Sequence, residues 1–137
     1  VRGALFGISH GADRAALTRA VLEGVTFALA DCNVALSATG TRIERLLAVG
    51  GGAASEYWLA AIATALGVPV DVPASAGHGA AFGAARLGLM AADGAGAEIL
   101  TRPPIARTIE PDQNLAQAFA DGHARFRAAY GAAKMIP

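Results

Sequence analysis

The stretch LLAVGGGAASEYW, residues 46–58, is the feature that most constrains the fold, because three consecutive glycines separate an aliphatic run from a serine. Glycine is entropically costly inside a strand or a helix, so three in a row indicate that something lies close to the backbone. Leu46–Val49 predicts a short strand buried on both faces, and Ser55 predicts the N-cap of a helix that ends at Gly67. The turn between them places backbone N–H groups at a helix N-terminus, which suits a phosphate or the sugar and base next to one.

The glycine turn matches neither of the common phosphate-binding motifs. No Gly-Lys-Ser/Thr follows the glycines, so the turn is not a P-loop. The letters GGGAAS also lack the G-x-G-x-x-G spacing of the dinucleotide-binding fingerprint. Taken alone, the triple glycine is equally consistent with a tight turn in a chain rich in alanine and glycine.

A long helix is predicted over residues 13–38, with Asp13 as its N-cap and Gly40 at its C-terminal stop. Its apolar stripe consists of Leu17, Val21, Val25, Leu29, Cys32 and Leu36. Gly24 predicts a close contact with another helix, because glycine costs about 1 kcal/mol relative to alanine in a helix interior. Glu23 needs a partner if it is buried, and Arg19 lies one turn earlier.

The rest of the chain predicts an α/β domain. VPVDV, residues 68–72, predicts a second strand, and Pro69 near its start would be tolerated at a sheet edge. Helices are predicted over Gly79–Ala92, whose small residues permit tight packing, and over Gln113–Lys134, with a loop between them at residues 92–113. The predicted order is α-β-α-β-α plus a C-terminal helix, with the two strands parallel and joined by a right-handed crossover.

Two strands do not form a stable sheet on their own. The sequence therefore predicts that further strands come either from GALFGI, residues 3–8, or from outside this chain. In the second case the apolar faces of the strands and of the first helix would be undercovered. We then expect the isolated chain to self-associate, so that a homo-oligomer is one of its predicted states.

Composition narrows the class of protein. The chain has 137 residues, 54% of them hydrophobic, and its 11 basic residues are balanced by 11 acidic ones, so nucleic acid is a poor candidate partner. Glu23 and Asp31 interrupt the most apolar stretch, which argues against a membrane-spanning helix. The single cysteine, Cys32, excludes an internal disulfide, fits a cytoplasmic location, and is predicted to be a small buried residue rather than a nucleophile.

Polar residues outside the glycine turn indicate no further site. Asp31 and Asp71 are predicted to be capping or surface groups rather than a catalytic base. The three histidines are too scattered along the chain for a metal site, so no metal ligands are predicted. Tyr57 and Trp58 are predicted to make core or interdomain contacts.

Four segments in this order resemble the C-terminal part of the FGGY carbohydrate kinases: RGALFGISHG, LTRAVLEGVTFAL, AVGGGAASEYW and GAAFGAARLG. The resemblance runs from about Val1 to Ala92 and continues weakly to the C-terminus. The glycine motif followed by Ser-Glu-Tyr-Trp is most similar to the branch of the family that phosphorylates D-xylulose.

The resemblance implies a partial actin-like ATPase (ribonuclease H-like) domain. It also implies that residues 1–137 form the C-terminal part of the nucleotide-binding domain, with the first domain and the early strands of this one upstream. In such kinases ATP, with Mg²⁺, donates its γ-phosphoryl group to a sugar hydroxyl in the cleft between two domains. The catalytic base is then expected in the first domain, so no catalytic residue is assigned here and the isolated chain is expected to be inactive.

The resemblance also implies a set of binding residues. Those predicted to contact the nucleotide are Gly50, Gly51, Gly52, Ala53 and Glu56, and those predicted to wall its pocket are Gly77, His78 and Ala81. The carboxylate of Glu56 would repel phosphates, so it is expected near ribose or adenine, or in solvent. Two alternatives stay open: a non-catalytic nucleotide-binding or interaction module on an actin-like scaffold, and an FGGY kinase for another pentulose or a polyol.

Overall fold

The computed structural model describes residues 3–75, 77 and 79–135. Four helices and three strands alternate along the chain: α1 (Arg14–Ala38), β1 (Leu46–Leu47), α2 (Glu56–Leu66), β2 (Val70–Pro73), α3 (Gly79–Asp93), β3 (Ile105–Ile109) and α4 (Ala116–Ala133). Short 3-10 helices cover Gly51–Ala54 and Ala97–Ile99. The chain is therefore a mixed α/β structure, as the sequence predicts.

The described residues form a three-stranded sheet in the order β1-β2-β3. Leu46 pairs with Val70 in a parallel ladder, which confirms the parallel pair, whereas Val70 pairs with Ile109 in an antiparallel one. The prediction of a loop over residues 92–113 was wrong, because that segment contains β3. The residues of GALFGI that the sequence offered as a strand form none.

The second strand is central in the sheet formed by the described residues, so Pro69 lies beside a central strand and not at an edge. Pro69 lies just before β2, and its carbonyl accepts a hydrogen bond of 2.9 Å from the backbone N–H of Leu46. Proline lacks a donor but keeps its acceptor, so it costs this ladder nothing at that position.

The helix ends follow the predicted capping chemistry. The Asp13 carboxylate accepts a 2.7 Å hydrogen bond from the backbone N–H of Ala16 and caps α1. Ser55 caps α2 in the same way, through the N–H of Trp58 at 3.3 Å. Gly67 ends α2 in the left-handed region at φ +67°, a conformation that glycine adopts without strain.

The hydrophobic core lies between α2 and the sheet. Its buried members are Leu59, Ala63, Val70 and Val72, and the partly buried residues packed against them are Leu46, Ala48, Ile62 and Ile109. Leu59, Ile62 and Ala63 lie on the face of α2 that the periodicity predicts to be apolar. This core fixes α2 across the sheet, so the position of its N-terminus relative to β1 is determined by packing.

A second cluster joins α1 to α4 around the buried ring of Phe27. The Phe27 centroid lies 6.1 Å from that of Phe119, 6.0 Å from that of His123 and 5.9 Å from that of Phe126. His123 also makes a 2.9 Å contact through Nε2 with Oδ1 of Asp31 on α1. The C-terminal helix is thus packed onto α1 by aromatic contacts, and Asp31, whose side chain is 40% exposed, lies at the surface beside this interhelix contact, as one of its two predicted placements.

The apolar stripe of α1 does not face the core. Val21 is 56% exposed, Val25 44% and Leu29 40%, and Cys32 is exposed as well, so its predicted burial was wrong. α1 instead buries Phe27 with Thr26 and Ala30, residues that lie beside the stripe. Periodicity identified an apolar face correctly but not which side the rest of this chain covers.

Two more expectations about burial were wrong. A Cβ at Gly24 would meet no atom within 4 Å, so this glycine marks no close helix contact. Leu47 of β1 is 50% exposed, so the first strand is not buried on both faces. The small residues of α3 allow one close contact, between the backbones of Gly79 and Gly50, but none of Gly79–Asp93, all of them described, is buried.

By length and composition alone α1 would pass for a membrane span, since an 18-residue window has a mean hydropathy of 1.3. Its two interrupting acidic residues are engaged with other side chains. Glu23 binds Arg19 at 3.1 Å, as predicted, and accepts a 2.7 Å hydrogen bond from the hydroxyl of Tyr57 on α2. Polar groups that are paired in this way are typical of helices packed inside a folded domain, and a long helix of such a domain can be as apolar as a membrane span.

Candidate functional site

The glycine turn follows the carboxyl end of β1 and leads into α2. Ala48 continues the ladder by donating 2.8 Å to the carbonyl of Asp71, and Gly50 then adopts φ +88°, which favours glycine. Gly51–Ala54 forms a single turn of 3-10 helix closed by the N–H of Ala53 to the carbonyl of Gly50 at 3.1 Å. The backbone therefore reverses within a few residues, beside the start of α2.

The four small residues of the turn have different surroundings. A Cβ at Gly51 would meet no atom of the described residues within 4 Å, and its φ lies outside the left-handed region, so these residues leave open space on this side of the backbone. A Cβ at Gly52 would lie 2.7 Å from Cζ3 of Trp58. Ala53 is 6% exposed and packs into the interior. Gly51 thus offers a free side to a ligand, whereas Gly52 and Ala53 could reach one only through backbone atoms.

Glu56 occupies the first turn of α2 and extends into solvent, with a side chain that is 78% exposed. One of its carboxylate oxygens lies 3.7 Å from a guanidinium nitrogen of Arg107 on β3. The exposure agrees with the solvent orientation that was one of its two expected placements. Arg107 was not anticipated, because its strand lies in the segment predicted to be a loop.

The start of α3 lies against the glycine turn. A Cβ at Gly79 would lie 3.2 Å from the backbone nitrogen and 3.5 Å from the Cα of Gly50, so the two backbones approach closely. Gly77 and Ala81 flank this contact and are exposed. His78, the third predicted wall residue, lies outside the described residues. The N-termini of α2 and α3 thus converge on one turn, and helix N-termini carry partial positive charge.

Two cavities lie elsewhere in the structure. One, of about 790 Å³, lies between α1, α2, α4 and residues 4–7, and the other, of about 880 Å³, lies beside the start of β1 and is bordered by Arg42, Arg45 and Arg102. Neither is lined by residues 50–53. The glycine turn therefore lies outside both of these cavities.

A buried carboxylate on the central strand is a structural feature that sequence reasoning missed. Asp71, predicted to be a capping or surface group, is 6% exposed and accepts hydrogen bonds of 2.6 Å from both Thr108 and Arg45. The Thr108 hydrogen bond and the adjacent Arg45 charge lower the pKa of Asp71 below its ordinary value of 3.8, against the opposing effect of burial. Asp71 is therefore a satisfied structural anion that joins β2 to β3 and to Arg45, the residue just before β1.

Tyr57 and Glu23 form the other perturbed pair. Burial, followed by the hydrogen bond to Glu23 and its negative charge, raises the pKa of Tyr57 to about 12, while Arg19 opposes this shift. A tyrosine with a pKa this high stays neutral and serves as a hydrogen-bond donor. Among the described residues, no group of three His, Cys, Asp or Glu side chains is arranged to hold a metal ion.

Known proteins with similar sequences include xylulose kinases and glycerol kinases. The chain is 36% identical over 131 residues to the xylulose kinase of Escherichia coli K12, covering 94% of this chain and 27% of that protein. It is 38% identical over 113 residues to a glycerol kinase of Gloeobacter violaceus, covering 80% of this chain and 22% of that protein. The chain therefore spans about a quarter of the length of these curated relatives.

Solved structures agree. A crystal structure from Brucella ovis, described as a xyloylose kinase, superposes with a TM-score of 0.87 at 54% identity, over 100% of this chain and 28% of that one. The model of the FGGY family of carbohydrate kinases, C-terminal domain, matches residues 1–92. The chain thus belongs to the FGGY family of carbohydrate kinases.

Proposed function

We propose that this chain is the ATP-binding part of a kinase that phosphorylates D-xylulose to D-xylulose 5-phosphate. The observation that carries the proposal is the alignment with the Escherichia coli xylulose kinase across 94% of the chain. The structural likeness to the Brucella ovis protein supports it independently. In this proposal residues 1–137 are the C-terminal part of the nucleotide-binding domain, and the sugar site and the base lie in other parts of a longer cytoplasmic polypeptide.

The residues of the glycine turn fit a nucleotide. Open space lies beside Gly51, Gly50 holds the backbone in a conformation without side-chain interference, and the N-termini of α2 and α3 lie close by. Partial positive charge at both helix ends favours the phosphates of ATP, whereas the Glu56 carboxylate would be repelled by them. We therefore place the phosphates on the Gly50–Gly51 side and Glu56 toward ribose or solvent.

Magnesium would accompany ATP and neutralise part of the phosphate charge. The described residues supply no cluster of three metal ligands, so the proposal assigns the ion to the phosphates of ATP. The work of this chain in the reaction is to bind and orient ATP. Phosphoryl transfer depends mainly on such positioning, together with a carboxylate that accepts the sugar hydroxyl proton. That carboxylate is assigned outside this chain, so residues 1–137 alone should not turn over ATP with D-xylulose.

The similarity to glycerol kinases favours one alternative, a related kinase for a polyol or another pentulose. The test is to express the full-length polypeptide that contains this chain and to measure ADP release with D-xylulose, other pentuloses and glycerol in turn. We expect the largest kcat/KM with D-xylulose. A larger value with glycerol would replace the sugar assignment, and no ADP release with any of them would refute the kinase proposal.

Gly51→Ala tests the location of the nucleotide. The added methyl group meets no atom of the described part of the chain within 4 Å, so the fold should tolerate it, but it would occupy the space assigned to ATP. We expect the KM for ATP to rise about tenfold, since small displacements of a bound reactant are costly. Gly24→Ala is the matched control, because a methyl group there is equally unobstructed and lies on α1. Equal KM values for ATP in the two variants would show that the nucleotide does not bind at Gly51.

A further inference from the structure

We propose that Trp58 is a positioning residue, which sets the backbone of the glycine turn from beneath and thereby orients it for ATP. This inference rests on the proposed function. It also implies that position 52 is a glycine because the indole ring needs the space, and not because the nucleotide does. The argument depends on three contacts made by one residue, two through its side chain and one through its backbone.

The first contact is between the indole and Gly52. A Cβ at Gly52 would lie 2.7 Å from Cζ3, 3.3 Å from Cε3 and 3.7 Å from Cη2 of Trp58. Carbon atoms in contact are normally about 3.5–4.0 Å apart, so every residue other than glycine would collide with the ring. The indole therefore occupies the space that a side chain at position 52 would need.

The second contact prevents the ring from moving aside. Nε1 of Trp58 donates a 3.2 Å hydrogen bond to Oγ1 of Thr26, a residue that is fully buried on α1. The same hydroxyl donates its own proton to the carbonyl of Leu22 at 2.9 Å, which leaves its lone pairs to accept from the indole. A displaced ring would leave a buried donor and acceptor unpaired, and such groups are costly.

The third contact lies in the backbone of the same residue. The N–H of Trp58 donates to Oγ of Ser55, the N-cap of α2, and the N–H of Ser55 donates to the carbonyl of Gly52 at 3.1 Å. Trp58 thus joins α1, the first turn of α2 and the glycine turn. Because Gly51 precedes the residue that the ring supports, the ring determines how the open side of Gly51 is presented.

A double-mutant cycle tests this role in the full-length polypeptide, with the KM for ATP and the KM for the sugar as readouts. We expect Gly52→Ala and Trp58→Leu each to raise the KM for ATP about tenfold, by displacing the turn, while the KM for the sugar changes little. In the Trp58→Leu background the ring is gone, so adding Gly52→Ala should have almost no further effect.

Two results would overturn the inference. If Gly52→Ala raises the KM for ATP equally with and without the indole, the missing side chain makes room for the nucleotide and not for the ring. If Trp58→Leu leaves the KM for ATP unchanged, the ring does not position the turn. Tyr57→Phe is the matched control, because it removes the other aromatic hydrogen bond from α2 to α1 without touching the glycine turn.

Conservative variants serve as controls for a loss of folding. Should Trp58→Leu fail to fold, Trp58→Phe keeps an aromatic ring at this position while it removes the donor to Thr26 and withdraws the outer ring from Gly52. Thr26→Val likewise removes the acceptor, and Thr26→Ser restores it. We expect Thr26→Val to raise the KM for ATP and Thr26→Ser to return it to the wild-type value. Equal KM values in these two variants would contradict the anchoring role of Thr26.

Direct binding of ATP, measured by calorimetry, separates this inference from the proposed function. If Gly51→Ala and every other variant bind ATP like the wild-type protein, the nucleotide site itself is wrong. If Gly51→Ala weakens binding while the cycle at positions 52 and 58 is additive, the site stands and the positioning role fails. Trp58 is the only tryptophan of residues 1–137, so an emission change on ATP binding that Trp58→Phe abolishes gives an additional optical signal.

Discussion

Replacing Gly122 by alanine should destabilise the contact between α1 and α4, although alanine is the better helix former. Gly122 is buried in the middle of α4, and a Cβ there would lie 2.6 Å from Cζ of Phe27. That is about 1 Å shorter than an ordinary carbon–carbon contact. The ring cannot retreat easily, because the side chains of Phe119, His123 and Phe126 surround it.

The expected size of the effect comes from two opposing contributions. Alanine is favoured over glycine by about 0.8–1.0 kcal/mol in a helix interior, whereas overpacking a filled core costs about 1–3 kcal/mol. The net change in the free energy of unfolding should therefore be a loss of about 0–2 kcal/mol. Gly131→Ala is the matched control on the same helix, because its methyl group would meet nothing within 4 Å and should stabilise.

Urea unfolding followed by far-ultraviolet circular dichroism measures both variants beside the wild-type chain. The urea midpoint should lie above the wild-type value for Gly131→Ala and below the wild-type value for Gly122→Ala. The free energies of unfolding of the two variants should differ by about 1–3 kcal/mol. If Gly122→Ala stabilises the chain as much as Gly131→Ala does, then Phe27 does not pack on this glycine, and the described arrangement of α1 and α4 is wrong.

Three further predictions follow from the polar contacts. Because the pKa of Asp71 is lowered in the folded chain, the stability that its carboxylate contributes is present above pH 3.8 and should be lost as the pH falls through the folded pKa. Urea midpoints measured over a pH series should show this loss in the wild-type chain and not in Asp71→Asn. The Tyr57 hydroxyl should ionise near pH 12, and because the unfolded chain ionises near pH 10.0, the stability of the fold should decline above pH 10.0. Phenolate absorbance measures this ionisation and Tyr57→Phe assigns it; ionisation of both tyrosines near pH 10.0 would contradict the prediction. Asp13→Ala should cost about 1 kcal/mol of the free energy of unfolding and Asp13→Asn only a few tenths, because asparagine is also a good N-cap, and equal losses in thermal unfolding would exclude a capping role.

The parts of the fold that the sequence predicted are those with local causes. Asp13 and Ser55 act as caps through hydrogen bonds to residues three positions later, and Gly67 ends α2 through its own backbone conformation. Such features depend on a few adjacent residues, so they can be recognised in a single sequence. The parallel pairing of the two predicted strands followed in the same way from the helix between them.

The parts that were missed depend on contacts between distant residues. The strand β3 follows two prolines, and its apolar and polar residues do not alternate strongly, so its sequence is typical of a loop. Only its pairing with β2 shows that it is a strand. Asp71 finds Arg45 and Thr108, which lie 26 and 37 residues away in the sequence. The stripe on α1 shows the limit of periodicity, because an apolar face implies a covering surface without saying where that surface comes from.

For the candidate site too, the local elements could be predicted from the sequence and the long-range contacts could not. The glycines, the strand before them and the helix after them were recognised, because strand-to-helix turns have a local signature. The division of labour among those glycines was not, since nothing in the spacing of Gly52 and Trp58 indicates that the ring folds back beneath the turn. Contact of the turn with a nucleotide stays a prediction.

The third helix has a consequence for local opening of the chain. Its first residue lies against Gly50, and Arg86 in its middle donates a 2.8 Å hydrogen bond to the carbonyl of Thr101, but no residue of the helix is buried. Segments with few buried contacts unfold at a small fraction of the global free energy. Amide protons of Gly79–Asp93 should therefore exchange with deuterium well before those of α2, and proteases should cut there first.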